Sequence, residues 1–263
     1  MPTHKTFQVK AKLLRNQRVA EKHYKMTLAS SRLAKQAKPG QFVEVKVSEG
    51  PEPLLRRPFG VHRVSGSNFE ILYEIVGIGT QLLSQKKPGA SLDIIGPLGN
   101  GFTLSTTHHT AHILVAGGMG VAPLLFLAEK LKKQKPLVLI GAKTKRHILR
   151  EKEFKQLGCS VKISTDDGSA GFPGKVTELL QDILQGHSPW KDNPCALYAC
   201  GPRPMLKEIA LIAKSHKIPA QISLEAHLAC GIGACLGCVV NTKQGYKRVC
   251  KEGPVFEAQE IIW

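Results

Sequence analysis

Long apolar runs are missing from this chain of 263 residues. No window approaches the roughly 18 consecutive apolar residues that cross a bilayer, so no membrane-spanning helix is expected. The basic N-terminus, MPTHKTFQVKAKLL, has no apolar core behind it, which argues against a signal peptide and for a cytoplasmic working compartment. Aromatic residues are scarce at 6%, and acidic residues are outnumbered, 20 against 37 Lys and Arg, for a formal charge of +17. Such charge first suggests a nucleic-acid partner. The basic residues are spread along the whole chain, however, and the densest stretch, 130–155, lacks the interleaved aromatics of a base-stacking platform. No nucleic-acid function is expected. Solvated helix faces, attraction for an anionic dinucleotide, or docking to an acidic partner use the charge better. A disulfide framework is also absent, because the cysteines number seven and are unevenly placed.

What those cysteines do form is a cluster. Cys230, Cys235, Cys238 and Cys250 lie within 21 residues, in the run CGIGACLGCVV…YKRVC. Their C-x4-C-x2-C lead and downstream fourth thiol have the spacing of a plant-type [2Fe-2S] centre. Zinc is the main rival. Structural zinc sites open on C-x2–4-C pairs, and only one C-x2-C pair stands here. Gly231, Gly233 and Gly237 allow a tight loop with backbone N–H groups turned toward sulfur, and Gly245 marks the turn of a hairpin that returns Cys250 to that loop. A one-electron centre needs a donor and an acceptor, and the rest of the chain has to accommodate both.

Residues 1–105 carry strand-like runs at short spacing: FQVKAKLL, HYKMTLAS, QFVEVKVS, FEILYEIV and SLDIIGPL. Turn signals such as Lys38-Pro39-Gly40 and Lys87-Pro88-Gly89 separate them, which predicts a small antiparallel β-barrel with at most a short helix over 80–86. Arg57 follows Arg56 and precedes Pro58, Phe59 and Gly60; paired guanidinium groups suit phosphate and ring-edge recognition, or simply a solvated surface. Gly77, Gly79 and Thr80 stand where a strand ends and a helix begins, offering backbone N–H groups to a phosphate, or an ordinary turn.

Residues 106–222 alternate strand and helix, which predicts an α/β domain with a parallel sheet. The strand AHILVA runs into Gly117, Gly118 and Gly120 and then a helix with Pro123 in its first turn. That is the context of a dinucleotide loop, although the usual glycine fingerprint is absent. A long helix is expected over TKRHILREKEFKQLG. Ligands of such sheets sit beyond the carboxyl ends of the strands. Asp166 and Asp167 lie at one such end and read best as turn organisers. Cys200, followed by Gly201 and Pro202, lies at another, either as a contact for a reacting ring or as a small buried hydrophobe. Residues 223–263 form the third segment, a small [2Fe-2S] domain.

Nearly the whole chain resembles the electron-transfer subunits of dihydroorotate dehydrogenase B, within the wider ferredoxin–NADP reductase superfamily. The most specific parts are TDDGSAGFPGKVT (165–177), YACGPRPML (198–206), SLEAHLACGIGACLGCVV (223–240) and VCKEGPVF (249–256). The resemblance implies FAD on the barrel, with Arg57, Pro58 and Phe59 on the flavin-contacting strand and Gly77, Gly79 and Thr80 near its pyrophosphate. It implies NAD at Gly117, Gly118, Gly120 and Pro123. Cys200, Gly201 and Pro202 would face nicotinamide and flavin, Glu225 would lie on the flavin side of the cluster loop, and Cys230, Cys235, Cys238 and Cys250 would hold the [2Fe-2S] cluster. Gly60 departs from the superfamily, which usually has Ser or Thr there to hydrogen-bond the flavin. The implied partner is an FMN-containing dihydroorotate dehydrogenase catalytic subunit in pyrimidine biosynthesis, in a heterotetramer of two heterodimers. A related NAD(P)H–ferredoxin oxidoreductase, transhydrogenase or sulfhydrogenase subunit is the alternative. Lys143, Lys145 and Arg146 leave NADP open as the nucleotide, though the resemblance favours NAD.

Overall fold

The computed structural model describes residues 5–104, 111–186 and 195–263. Apolar–polar alternation builds the first sheet. Strands β1 (Phe7–Ala20), β2 (His23–Ala29), β3 (Phe42–Val45), β4 (Arg57–Ser65), β5 (Asn68–Glu74) and β6 (Ser91–Leu98) close into an antiparallel barrel of order β1-β2-β5-β4-β3-β6. Leu13, Met26, Val43, Val45, Val61, Ile71 and Ile94 fill it. In β3 and β4 the inward positions are Val43, Val45, Phe59 and Val61, so Phe42, Glu44, Pro58, Gly60 and His62 face outward. Helix α1 (Ser31–Gln36) and helix α2 (Ile78–Ser84) are the barrel's short helices.

The second sheet combines β7 (Ala111–Gly117), β8 (Leu137–Ala142), β9 (Ser160–Thr165), β10 (Phe172–Pro173), β11 (Cys195–Cys200) and β12 (Ala220–Ser223). Its helices are α3 (Val121–Lys130), α4 (Glu151–Gln156), α5 (Val176–Gln185) and α6 (Arg203–Ser215). The central strands are buried on both faces, as near-continuous apolar runs such as ILVA and LVLI require. The long helix expected over 144–158 is shorter. Thr144 caps a single tight turn at 145–147, and Arg150 takes a left-handed φ of 62°, so α-helix resumes only at Glu151.

The third segment forms a hairpin of β13 (Val239–Thr242) and β14 (Gly245–Arg248), then β15 (Val255–Glu257). It is not a separate layer: β15 pairs antiparallel with β12 and completes the order β10-β9-β8-β7-β11-β12-β15. Helix α3 is the wedge between the barrel and this sheet. Phe126 joins the barrel core, Arg63 pairs with Glu129 at 2.6 Å, and the buried His62 donates from Nδ1 to the Ala122 carbonyl at 2.8 Å. Among the described residues no helix is long and apolar enough to cross a membrane.

Candidate functional site

The sheet changes direction between β7 and β11. The chain runs outward from β7 through β8 to β9 and β10, then returns to lay β11 on the other side of β7. Crevices form at such switch points, beyond the carboxyl ends of the strands. The two glycine loops meet there. A Cβ on Gly120 would stand 1.9 Å from the Cys200 carbonyl oxygen, one on Gly117 would stand 2.9 Å from Pro202 Cδ, and one on Gly201 would stand 3.0 Å from Gly117 N. Backbone therefore lies directly on backbone. Gly118 turns with φ +53° and has nothing within 4 Å of its Cβ position, so it faces open space. Pro123 sits in the first turn of α3, where its missing N–H leaves no helix bond unmade.

Cys200 ends β11 opposite Ser223 and Ala116, and is 3% exposed. Burial pushes its thiol up to about 12, the Glu225 charge adds to the rise, and the Ser223 hydroxyl opposes it. The thiol is therefore protonated at neutral pH and is no nucleophile. Glu225 lies just beyond β12, open to solvent on one side; protein walls on the other raise its carboxyl above the ordinary value. The two candidate residues are thus electrostatic neighbours.

On the barrel, Gly60 faces α3: a Cβ there would stand 3.8 Å from Pro123 Cβ, ordinary contact distance. Phe59 is buried, with its ring 5.6 Å from that of Tyr73. Arg57 donates from Nη1 to the Leu55 carbonyl at 2.7 Å, and its Nε would lie 2.9 Å from a Cβ on Gly79, so α2 rests on the guanidinium. Thr80 Oγ1 accepts from the N–H groups of Val76 (2.9 Å) and Gly77 (3.2 Å), which fixes the start of α2. A groove of about 910 Å³ opens beside this loop, with Arg18, Lys22, Tyr24, Gly77 and Ile78 among its walls. Glu21 and Glu74 also line it, so its charge is mixed; its size, and Arg18 and Lys22 beside the loop, fit a dinucleotide's diphosphate and adenosine.

The cysteine loop is irregular, as its glycines dictate. Gly231 and Gly233 take φ of +67° and +84°. Cys230 Sγ accepts from the N–H groups of Ala234 (3.3 Å) and Cys235 (3.4 Å), and Cys238 Sγ accepts from Cys250 N (3.4 Å). Burial raises the Cys230 thiol, but the amides of Cys235, Ile232 and Ala234 together outweigh it and bring it down to about 6. The thiols associate as two pairs, Cys230 with Cys235 and Cys238 with Cys250. Two irons taking two thiolates each fit the pairs.

At the other strand ends, Asp167 organises its turn, accepting from Ser169 N at 3.0 Å and Ser169 Oγ at 2.6 Å. Lys143, Lys145 and Arg146 are exposed beyond β8. Two residues of the site escaped the sequence reading. His62 joins the barrel to α3. Glu44 is 1% exposed, with both carboxylate oxygens lacking a hydrogen-bond partner, and burial pushes its carboxyl up to about 7 against the pull of Arg56. The only sequence signal for Glu44 was an acid alternating with valines, which reads as a solvent face.

Comparison with known proteins bears on the whole arrangement. Residues 225–262, which include all four clustered cysteines, match the iron–sulfur cluster binding domain of dihydroorotate dehydrogenase B, and residues 114–210 match an oxidoreductase NAD-binding domain. The chain is 41% identical over 261 residues to the dihydroorotate dehydrogenase B (NAD(+)) electron transfer subunit of Desulforamulus reducens, covering 96% of this chain and 97% of that one. The corresponding subunit of Geobacillus kaustophilus is 41% identical over 252 residues, with coverage of 93% and 94%. A solved NADH-dependent reduced ferredoxin–NADP oxidoreductase, studied for flavin-based electron bifurcation, superposes with a TM-score of 0.84 at 29% identity, covering 97% of this chain and 90% of that one. A ferredoxin NADP+ reductase from Neisseria gonorrhoeae shares the fold, with a TM-score of 0.66 at 19% identity over 80% of this chain and 91% of that one. Similarity of this extent, with the cysteine loop inside the matched cluster domain, makes the chain a member of the dihydroorotate dehydrogenase B electron-transfer subunit family.

Proposed function

We propose that this chain carries electrons between NAD and an FMN-containing subunit that oxidises dihydroorotate, using FAD on the barrel (1–105), NAD on the α/β domain (106–222) and a [2Fe-2S] cluster on the third segment (223–263). The observation that carries the reading is one barrel face touching both other sites: Gly60 lies against Pro123 of the nucleotide loop, and Glu44 lies against Gly231 of the cysteine loop. A carrier on that face has a hydride source on one side and a one-electron centre on the other.

Bound flavin supplies the exchange between a hydride and single electrons, and the cluster supplies the one-electron outlet. The chain's own residues supply position. Arg57, with Arg18 and Lys22 beside Gly77, would neutralise the flavin diphosphate, and Gly79 and Thr80 hold that loop in place. Gly117, Gly118 and Gly120 let the nucleotide diphosphate approach the start of α3. Cys200, Gly201 and Pro202 would border the nicotinamide and the flavin ring. Cys200, protonated and buried, excludes water there, and Glu225 borders the same space from the cluster side. Cys230, Cys235, Cys238 and Cys250 hold the irons, with loop amides stabilising charge on sulfur.

The setting is cytoplasmic pyrimidine biosynthesis, the assembly two heterodimers joined, and flow can run from the partner toward NAD+. The similarity to a reduced ferredoxin–NADP oxidoreductase supports a second reading, in which the chain serves such a complex instead. Co-expression with an FMN dehydrogenase partner separates them. Dihydroorotate-dependent NAD+ reduction by the purified complex is expected. A chain that forms no complex with such a partner, and exchanges electrons only with ferredoxin, overturns the first reading.

A further inference from the structure

Glu44 is a polar group without a visible task. It sits on β3 in register with Pro58 on one side and Ile95 on the other, on the outward barrel face shared with Gly60. The third segment covers it so closely that a Cβ on Gly231 would stand 2.6 Å from Glu44 Cγ and 2.8 Å from its Oε1. The arginines nearby are committed elsewhere. Arg56 reaches the Asp93 carbonyl at 2.8 Å and the Asp93 carboxylate at 2.9 Å, while Arg57 is turned to the Leu55 carbonyl. A buried carboxyl without a partner costs stability, so it calls for an explanation, and a redox role is one that fits its place beside the cysteine loop.

We propose that Glu44 is a positioning residue for the iron–sulfur site: it seats the Cys230–Gly231 turn on the barrel and, through its carboxyl group, sets the reduction potential of the cluster. The inference rests on the reading above that these cysteines hold a [2Fe-2S] centre. Its physical basis is proximity in a medium of low polarity. Hydrogen bonding, charge and exclusion of water next to the thiolates are the levers by which a protein tunes such a centre. The turn that carries the first ligand has no Cβ between its backbone and Glu44, so changes in that carboxyl act directly on the loop. Sequence alternation alone would have placed this acid in water; docking of the third segment onto β3 places it beneath the cluster loop.

The test is a potentiometric titration of the full chain with FAD and iron–sulfur cluster loaded, read by electron paramagnetic resonance for the cluster and by absorbance for the flavin. Glu44→Gln keeps the shape and removes the acid. The expected result is full iron content and a shifted cluster midpoint potential with altered g-values, the shift exceeding any shift of the flavin, which shares this barrel face. Glu44→Leu is expected to shift the cluster further. A wild-type cluster potential and spectrum in Glu44→Gln overturn the proposal even if Glu44→Leu is perturbed, because the side chain is then only a spacer. Equal shifts of both cofactors in Glu44→Gln also overturn it, since they report a general disturbance. If Glu44→Leu does not fold, Glu44→Gln decides alone. Failure of the wild-type chain to bind iron would instead contradict the cluster reading, and the iron assay separates the two failures.

Discussion

Gly120 and Cys200 meet without a side chain between them: a Cβ on Gly120 would lie 1.9 Å from the Cys200 carbonyl oxygen and 3.0 Å from Gly201 N. Both obstacles are backbone, so neither can rotate away. Gly120→Ala is expected to push the two glycine loops apart, destabilising the chain by about 1–3 kcal/mol. It should also slow NADH-driven flavin reduction on the order of 100-fold, because the reacting partners are displaced. Stopped-flow absorbance at saturating NADH and a denaturant melt check both effects.

Cys200 is predicted to stay protonated and sheltered. Thiol reagents at pH 8 should spare it in the native chain and label it after unfolding, as mass spectrometry would show. Its pKa is raised in the folded state, from an ordinary value of 9.0 to about 12. The unfolded thiol therefore gives up its proton first, and its contribution to stability, intact below pH 9, is lost as pH rises toward 12. Cys200→Ala should flatten that alkaline decline while slowing hydride transfer by about tenfold through lost positioning.

His62 makes the opposite prediction at acid pH. Burial lowers it from 6.5 to about 4, although the bond to Ala122 opposes the fall. The unfolded chain therefore binds the proton first. Stability present above pH 6.5 should be lost as pH drops toward 4, by about 2–3 kcal/mol from this group alone. Because the bond ties the barrel to α3, loss of flavin should accompany it. His62→Leu is expected to be less stable at pH 7.5 and less sensitive to acid, as thermal melts across that window would reveal.

Gly60 has room for a side chain, since the nearest atoms to its Cβ position, on Pro123, are 3.8 and 3.9 Å away. Gly60→Ser should fold normally and, by adding a hydroxyl beside the flavin, retain FAD more tightly through gel filtration. Loss of FAD from this variant would contradict the placement of the ring on this face.

Cys238 and Cys250 are 3% and 2% exposed. Cys250→Ser is expected to abolish the cluster's resonance signal while leaving flavin bound and still reducible by NADH. Iron content and flavin absorbance of the one sample read both.

The chemistry-bearing junctions were legible because each is local: strand, glycines and helix at 111–130, and cysteine spacing at 230–250. The barrel was legible from five short alternating runs; the sixth strand, β4, is not among them, because its arginine and proline pattern as a binding motif. What stayed hidden depends on docking. Nothing local says that β15 completes the nucleotide sheet, that Arg150 breaks a helix-like run with a left-handed turn, or that Glu44 is covered. The alternation Val43, Glu44, Val45 assigns the acid to the outside of the barrel correctly. Only tertiary packing turns that outside into an interior.

The most direct test of the relay is an anaerobic addition of NADH to the loaded chain without its partner, followed by absorbance and electron paramagnetic resonance together. The account predicts bleaching of the flavin bands and the appearance of a reduced [2Fe-2S] signal in the same sample, with the cluster signal absent from Cys250→Ser. Flavin bleaching with an oxidised, unresponsive cluster, or a colourless chain that binds neither group after reconstitution, would contradict it.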